Sequence, residues 1–510
     1  MSIIPTTQTA ATVPELGGGV KFVHDYPVPQ PGHNEVLAKV LYSGVCQSDL
    51  HTQAGIASDA NGNPITKVKL PHVGGHEGVG RIVAIGPGCD DDIRLGMFVG
   101  IRFSSRICRR CEFCLAGKEQ HCTKSTNHLH HEDGSFQEYI ALDAGYLTIL
   151  PNDIDPAVIG PVLCAGLTTY KAVKNANVKA ADWVVVVGAG GGLGHLAVQY
   201  ARAQGAIVIG IDGGAAKGDF IKEIGASEYI DFTTTPNLIE KVHELTSGGA
   251  NAVIVTAASV KAFQQAADML KVGGTLSCVG IPSEKGYLLT PISSIVIKGL
   301  HITGNLVGSL KECLEAVDLV RRGVVKPKIT IRPFEDLPKI YDELEKGDVS
   351  GRMVLKIAKD DLALPSAIAS FAKNAIPFKL AECGVFVWTE APSVHSGAVY
   401  QFVEACTISS SSKLDNTLLY PASQTLQIAL LAATSVLRNV SSSPVPIPNL
   451  NQIVNHSVHH GGNARYNEIP PESYRFGVLP NATVDGATNQ PFKNENADFE
   501  QQTSPTELKL

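Results

Sequence analysis

Four cysteines in the segment CRRCEFCLAGKEQHC, Cys108, Cys111, Cys114 and Cys122, are spaced three, three and eight residues apart. Four thiolates within one short lobe satisfy a closed tetrahedral zinc site, whose role is to hold together a loop that has no core of its own. Such a site leaves no coordination position for a substrate. A second set is dispersed: Cys46 in GVCQSDLH, His76 in GGHEGVG and Cys164 in PVLCAGLTTY. Two cysteines and one histidine compose a zinc site with a fourth position free for water or substrate. No spacing rule joins residues this far apart, and from residue types alone buried structural side chains are an equal alternative. Their neighbours add weight. Glu77 beside His76 fits a supporting or exchangeable ligand, and Ser48 and His51 stand close enough to Cys46 to relay a proton, although such a pair often only satisfies local hydrogen bonds.

A third feature is the loop GAGGGLG, made of Gly188, Ala189, Gly190, Gly191, Gly192, Leu193 and Gly194. The strict G-x-G-x-x-G pattern is not met, because Leu193 or Ala189 takes a glycine position depending on register. The context is a strand WVVVV before the loop, a helix HLAVQYARA after it, a second strand AIVIGI, and Asp212 eighteen residues past Gly194. That order places a pyrophosphate at a helix N-terminus and a carboxylate on the adenosine ribose, which favours NAD over NADP.

The elements that must position these residues fall into two patterns. From about Phe22 to Gly100, short strands are broken by Gly and Pro, an all-β beginning. From Ala181, Val/Ile runs alternate with helix-length segments: WVVVV, HLAVQYARAQ, AIVIGID, KGDFIKEIG, NAVIVT, VKAFQQAADML, GGTLSCVG and GLHITG. Such alternation gives βαβ units and a parallel sheet covered on both faces, here a six-stranded doubly wound domain. Residues 309–322 read as a helix ended by Gly323, and residues 353–357 as a last strand.

The 510 residues, 44% apolar and 18% charged, can bury a sizeable core, so disorder throughout is excluded. A net charge of -7 offers no basic field for a nucleic-acid partner. No uncharged apolar run approaches the roughly 20 residues of a membrane helix. The N-terminus has neither a secretory signal nor a transit-peptide pattern, so a cytoplasmic location is expected, where the eleven cysteines favour metal over disulfides. Beyond Lys359 the composition shifts to Ser runs and a Pro/Asn-rich stretch; a helix is expected at 423–439 and disorder over the last forty residues. Sequons at Asn439, Asn455 and Asn481 carry little meaning in a cytosolic chain. NHSVHHGG, with His456, His459 and His460, reads as solvated loop more readily than as metal site.

The motifs CQSDLH, GGHEGVG, CRRCEFCLAGKEQHC, LCAGLTTYKAVK, GAGGGLGHLAVQYARAQG and GIDGGAAKGD, in this order, resemble the zinc-dependent medium-chain alcohol dehydrogenases, specifically their yeast-type fungal branch. The likeness runs from about Val20 to Lys356. It implies an α/β architecture: a GroES-like β-rich catalytic domain from residues 1–166 and 306–358, a Rossmann NAD-binding domain inserted at 167–305, and an unassigned extension at 359–510. It further implies two zinc ions per subunit, one catalytic on Cys46, His76 and Cys164 with Glu77 nearby, and one structural on Cys108, Cys111, Cys114 and Cys122. Ser48 and His51 would form the proton relay, and residues 188–194, Asp212, Lys217, Val279, Gly280, Ile281 and Arg352 would contact NAD. The expected activity is hydride transfer between a primary or secondary alcohol and NAD, giving an aldehyde or ketone, in a homotetramer or dimer. A polyol or aromatic-alcohol dehydrogenase of the same superfamily, or a scaffold that keeps zinc and NAD while the tail binds a partner, are the alternatives. Three departures stand out. Gln47 replaces a His or Arg that would reach the pyrophosphate, so looser NAD binding is expected. Thr52, Gln53 and Phe103 occupy places of larger aromatic residues, so a roomier substrate pocket is expected. The tail after Asp360 lies outside the likeness and is expected to be dispensable.

Overall fold

The computed structural model describes residues 4–359. The tail readings, the helix at 423–439, the three sequons and the histidine stretch, therefore lie outside the described residues.

The apolar runs beginning at Trp183 form one six-stranded, all-parallel sheet in the order Glu228–Asp231, Ile207–Asp212, Trp183–Val187, Ala250–Val255, Leu270–Cys278, His301–Gly304. Val184, Val185 and Val186 have no exposed surface, as a strand covered on both faces requires. The chain steps from the third strand in this order outward to one edge, then crosses to the other half, so the order reverses beside Trp183–Val187. In open parallel sheets ligands bind at that reversal, outside the carboxyl ends of the strands. The strand Glu228–Asp231 and the helices Leu238–Thr246 and Ile292–Lys298 escaped the sequence reading. EYID has one buried residue, Ile230, and so offers no apolar run to recognise.

The β-rich part is a seven-stranded sheet that runs Thr148–Leu150, Phe98–Ile101, Gly78–Ile85, Glu35–Gly44, Arg352–Lys356, Ile329–Pro333, with Tyr139–Asp143 paired to Glu35–Gly44. Its last two strands come from the far side of the parallel sheet in sequence. Val354 pairs with Gly44, and this places Arg352 beside the segment that leads into Cys46. A smaller sheet joins Lys21–Pro27, Thr7–Val13 and His72–Val73. The strand Thr7–Val13 was not read from sequence. The helix expected over 309–322 spans Leu310–Arg321, with Ser309 and Glu312 capping each other's backbone N–H groups, and Gly323 past its end has the positive φ of 71° that ends a helix without strain. The last strand is Arg352–Lys356, one residue earlier than expected. Among the described residues no single helix is long and apolar enough to cross a membrane.

Candidate active site and metal clusters

The first wall of the site starts from the helix Gln47–Gln53, for which Cys46 is the N-cap. Asp49, fully buried, accepts hydrogen bonds from the Cys46 backbone N–H (3.0 Å), the Gly75 N–H (2.9 Å) and His76 Nδ1 (3.0 Å). The Nδ1 contact leaves His76 Nε2 for a ligand, and the same carboxylate fixes the turn that carries His76. Asp49 was missed by sequence reasoning. The available signal was its place three residues after Cys46, where an acidic side chain caps the helix it belongs to.

Cys46, His76, Glu77 and Cys164 are all buried, and their ligand atoms lie within 4.8 Å of one another. Cys164 enters as the N-cap of the helix Ala165–Asn175. A hydrogen bond from Cys164 holds the Cys46 thiol well below its ordinary value, and the same bond raises Cys164 well above it. Burial opposes charge on His76, but Asp49 outweighs it and raises the imidazole well above its ordinary value. Burial pushes the Glu77 carboxyl up to about 7, against the pull of Arg352. Glu77 Oε1 is ion-paired with Arg352, whereas Oε2 is buried without a hydrogen-bond partner. A buried carboxylate with an orphaned oxygen, set among two soft thiols and an imidazole, is a donor set in want of a cation, and its composition fits zinc. Gly44 is required beside it, since a Cβ there would sit 2.1 Å from Glu77 Oε2.

The second cluster, Cys108, Cys111, Cys114 and Cys122, also has its sulfurs within 4.8 Å of one another. Cys108 Sγ accepts from the Cys111 N–H (3.3 Å) and Cys122 Sγ from the Cys108 N–H (3.4 Å), with backbone donors pulling the Cys108 thiol down to about 6. Donors aimed at Cys108 favour its thiolate, the form a metal needs, whereas burial raises Cys114 to about 12. Again the residues fit zinc.

The opposite wall belongs to the parallel sheet. Gly188 leaves the strand Trp183–Val187 with φ of +82°, and a Cβ on Gly194 would meet the Gly188 carbonyl oxygen at 1.9 Å, so the tight turn needs glycine at both places. Asp212 Oδ2 accepts from the Gly190 N–H (2.8 Å) and Oδ1 from the Gly213 N–H (2.9 Å), with Lys217 Nζ 3.3 Å away. A single cleft of about 540 Å³ is lined by Cys46, Ser48, His51, His76, Cys164 and Arg352 from the β-rich part and by Gly188, Gly191, Gly192, Leu193, Gly194, Asp212, Lys217, Val279, Gly280 and Ile281 from the parallel-sheet part. Ala189 and Gly190 are not on this wall: Ala189 is fully buried, and Gly190 lies against the Asp212 carboxylate. Arg352, expected to face the cofactor, is 5% exposed and spends its charge on Glu77 while lying against Gly192.

Ser48 Oγ lies 3.8 Å from Cys46 Sγ, and Gln47 Nε2 lies 3.2 Å from His51 Nε2. Burial holds His51 below its ordinary value, against the pull of Cys46. Thr52 donates to the Ser48 carbonyl (2.9 Å) and lines the cleft with Phe103. Gln53 does not: it turns away to the Gly18 carbonyl. Leu129 and His130 line the cleft without having been foreseen, His130 pushed down to about 4 by burial.

A parallel dinucleotide-type domain set into a β-rich domain, with a soft-donor metal cluster at the cleft between them, defines a metal-dependent dehydrogenase architecture. Residues 32–152 match the family described as "Alcohol dehydrogenase GroES-like domain" and residues 192–322 that described as "Zinc-binding dehydrogenase". Three solved structures share the fold. An alcohol dehydrogenase from the hyperthermophilic archaeon Aeropyrum pernix is 29% identical (68% of this chain, 99% of that one, TM-score 0.62). A structure described as an NAD-dependent alcohol dehydrogenase is 28% identical (69% and 100%, TM-score 0.62). The acetophenone reductase of Geotrichum candidum, in complex with NAD, is 26% identical (70% and 98%, TM-score 0.61). Over these stretches the chain is similar to the zinc-dependent medium-chain alcohol dehydrogenases.

Proposed function

We propose that this protein transfers a hydride between a primary or secondary alcohol and NAD, giving an aldehyde or ketone, and that it belongs to the yeast-type branch of these dehydrogenases. The observation that carries this reading is convergence: Cys46, His76 and Cys164 meet at one wall of the same cleft whose other wall holds the glycine turn and Asp212. Cys46, His76 and Cys164 would hold a catalytic zinc and the 108–122 lobe a structural one, two per chain. Zinc held there would supply stabilisation of charge on the substrate oxygen, and NAD held on the opposite wall would supply the hydride acceptor. The remaining work belongs to the chain. Asp49 orients His76 and Cys46, while Ser48, beside Cys46, would take the substrate hydroxyl proton as it passes its own hydroxyl proton along the relay toward His51. His51, neutral at pH 7, is the next base toward solvent. Asp212 supports NAD over NADP because its carboxylate repels a ribose phosphate.

Thr52 and Phe103 at the substrate end favour longer, branched or secondary alcohols over ethanol. The chain is also proposed to form a homodimer or tetramer. Ile292, Val296 and Ile297 of the helix Ile292–Lys298 are 71–81% exposed beside the edge strand His301–Gly304, an apolar face that a second copy would cover. The decisive experiment is the initial rate of NAD reduction by the purified full chain, zinc content measured, across linear, branched, secondary and aromatic alcohols. Turnover with bulky alcohols above ethanol is expected; zinc-replete protein inert toward every alcohol overturns the reading.

A further inference from the structure

Outside the reacting groups, the fully buried titratable side chain of His195 touches both parts of the molecule. His195 has no exposed surface and both of its ring nitrogens are engaged. Nε2 lies 3.3 Å from the Lys328 backbone N–H, which can only donate, so Nε2 is the acceptor. The proton of the neutral ring is therefore on Nδ1, which donates to the Gly191 carbonyl at 3.1 Å. Burial pushes the imidazole down to about 4, consistent with a permanently neutral ring.

The two partners belong to different parts of the fold. Gly191 is in the turn that lines the cleft, and Lys328 leads into the strand Ile329–Pro333 of the β-rich sheet. One helical turn further on, Gln199 reinforces the junction: its Nε2 donates to the Lys326 carbonyl (3.1 Å) and its Oε1 accepts from the Lys326 N–H (2.7 Å). From Lys328 the connection continues. Its carbonyl accepts from the Arg352 N–H (2.9 Å), Arg352 is ion-paired with Glu77, and the Gly351 N–H reaches back to the Gly190 carbonyl (3.2 Å). Gly191, His195, Lys328, Arg352 and Glu77 thus form one continuous bonded path between the glycine turn and the metal cluster.

We infer that His195 is a positioning residue that registers the dinucleotide turn against the β-rich domain, so that the cofactor bound to residues 188–194 is presented correctly to the metal cluster. The inference rests on the proposed NAD-dependent reaction. His195 touches neither substrate nor metal; it acts through the Gly191 carbonyl and the Lys328 N–H. Hydride transfer needs donor and acceptor held within a fraction of an ångström, so such a registration matters to cofactor binding and to rate more than to folding.

The test uses the zinc-loaded full chain with His195→Leu, His195→Gln and His195→Asn, read by calorimetric NAD titration, KM for NAD, kcat, zinc content and Tm. Leucine keeps the volume and removes both hydrogen bonds. The expected result is a rise in NAD Kd and KM of about five- to tenfold, the worth of a net hydrogen bond or two, with zinc retained and kcat at saturating NAD lowered as well, because a misplaced cofactor slows hydride transfer. Glutamine, whose terminal amide reaches the place of Nε2, should restore most of the affinity, and asparagine, which reaches only the place of Nδ1, less. Unchanged NAD affinity in His195→Leu, or a loss shared equally by all three variants in step with Tm, overturns the inference. If the leucine variant does not fold, the order of glutamine over asparagine carries the test, and its absence overturns the inference. Wild-type protein that binds NAD but turns over no alcohol would sink the proposed function without touching this registration, since the titration reads it directly.

Discussion

The two cysteine clusters have equal geometry and opposite construction. In each, four donor atoms lie within 4.8 Å of one another. The lobe at 108–122 draws all four from fifteen consecutive residues, three of them half-buried. The cluster at Cys46, His76, Glu77 and Cys164 draws on a helix cap, a turn beside a strand and a second helix cap, all buried and held by Asp49 and Arg352. A local site can be assembled by its own loop and serves to hold it. A dispersed site exists only when the fold is complete, so its ligands can be set against a cleft, with one donor, the orphaned Glu77 Oε2, left without a protein partner.

The largest effect expected breaks the comparison on its catalytic side. Cys46→Ser should lower alcohol turnover by about a thousandfold or more, the several kcal/mol of charge stabilisation a metal supplies, while Tm stays close to wild type and bound zinc falls below that of the unaltered chain. Cys111→Ser should do the reverse. Loss of the lobe's zinc should lower Tm by about 5–10 °C while the surviving folded enzyme keeps its kcat at low temperature. Thermal melts and metal analysis on both variants decide it; equal loss of activity in both would mean that the two clusters are not divided between chemistry and support.

The same contrast explains what the sequence made legible. The 108–122 spacing is sufficient by itself, because all four ligands sit on one loop. For Cys46, His76 and Cys164 no spacing exists to read; only the order of the surrounding motifs joined them, and the fold supplied the distance. The parallel strands were plain wherever both faces are covered, as in WVVVV, and invisible in EYID, where the edge position leaves one buried residue. Asp49 and Arg352 show the remaining gap. An aspartate in a helical first turn reads as a cap, and that it also grips His76 depends on a turn 27 residues away. Arg352 lines the cleft and also pairs with Glu77, a contact that forms only when the chain returns to lay the strand Arg352–Lys356 against Glu35–Gly44. Gln53 was assigned to the pocket by position alone, and the helix turns it to Gly18.

Two predictions sharpen the division of labour within the cleft. Burial keeps His51 below its ordinary value of about 6.5, so it is neutral at pH 7 and able to take a proton. The sign follows: the rate of alcohol oxidation should hold above that pKa and fall as pH drops through it, below pH 6.5. His51→Gln should lower kcat at pH 7 by about a hundredfold and flatten this acidic limb. A limb that survives unchanged in the variant would assign the titration elsewhere. On the opposite wall, Asp212→Ser should leave turnover with NAD within several-fold while raising the NADP-to-NAD ratio of kcat/KM by about tenfold or more, because it removes the charge that repels a ribose phosphate. An unchanged ratio would show that Asp212 serves only the Gly190 and Gly213 N–H groups it already satisfies.

The smallest effect expected belongs to Gln47, one residue from the metal cluster and yet outside it. Its amide lies against His51 Nε2 rather than reaching freely toward the turn at residues 188–194, and it carries no charge with which to meet a pyrophosphate. A neutral donor to a phosphate is roughly half as strong as a charged one, so Gln47→Arg should tighten NAD binding by about three- to tenfold in a titration, more at low salt than at high. The same substitution removes the amide from His51 and puts a cation near it, so the acidic limb of the rate profile should move further down. The two readouts are independent. Tighter NAD binding with an unmoved limb would place the arginine on the phosphate alone, whereas equal dissociation constants would show that this wall, unlike the glycine turn opposite, contributes nothing to holding the cofactor.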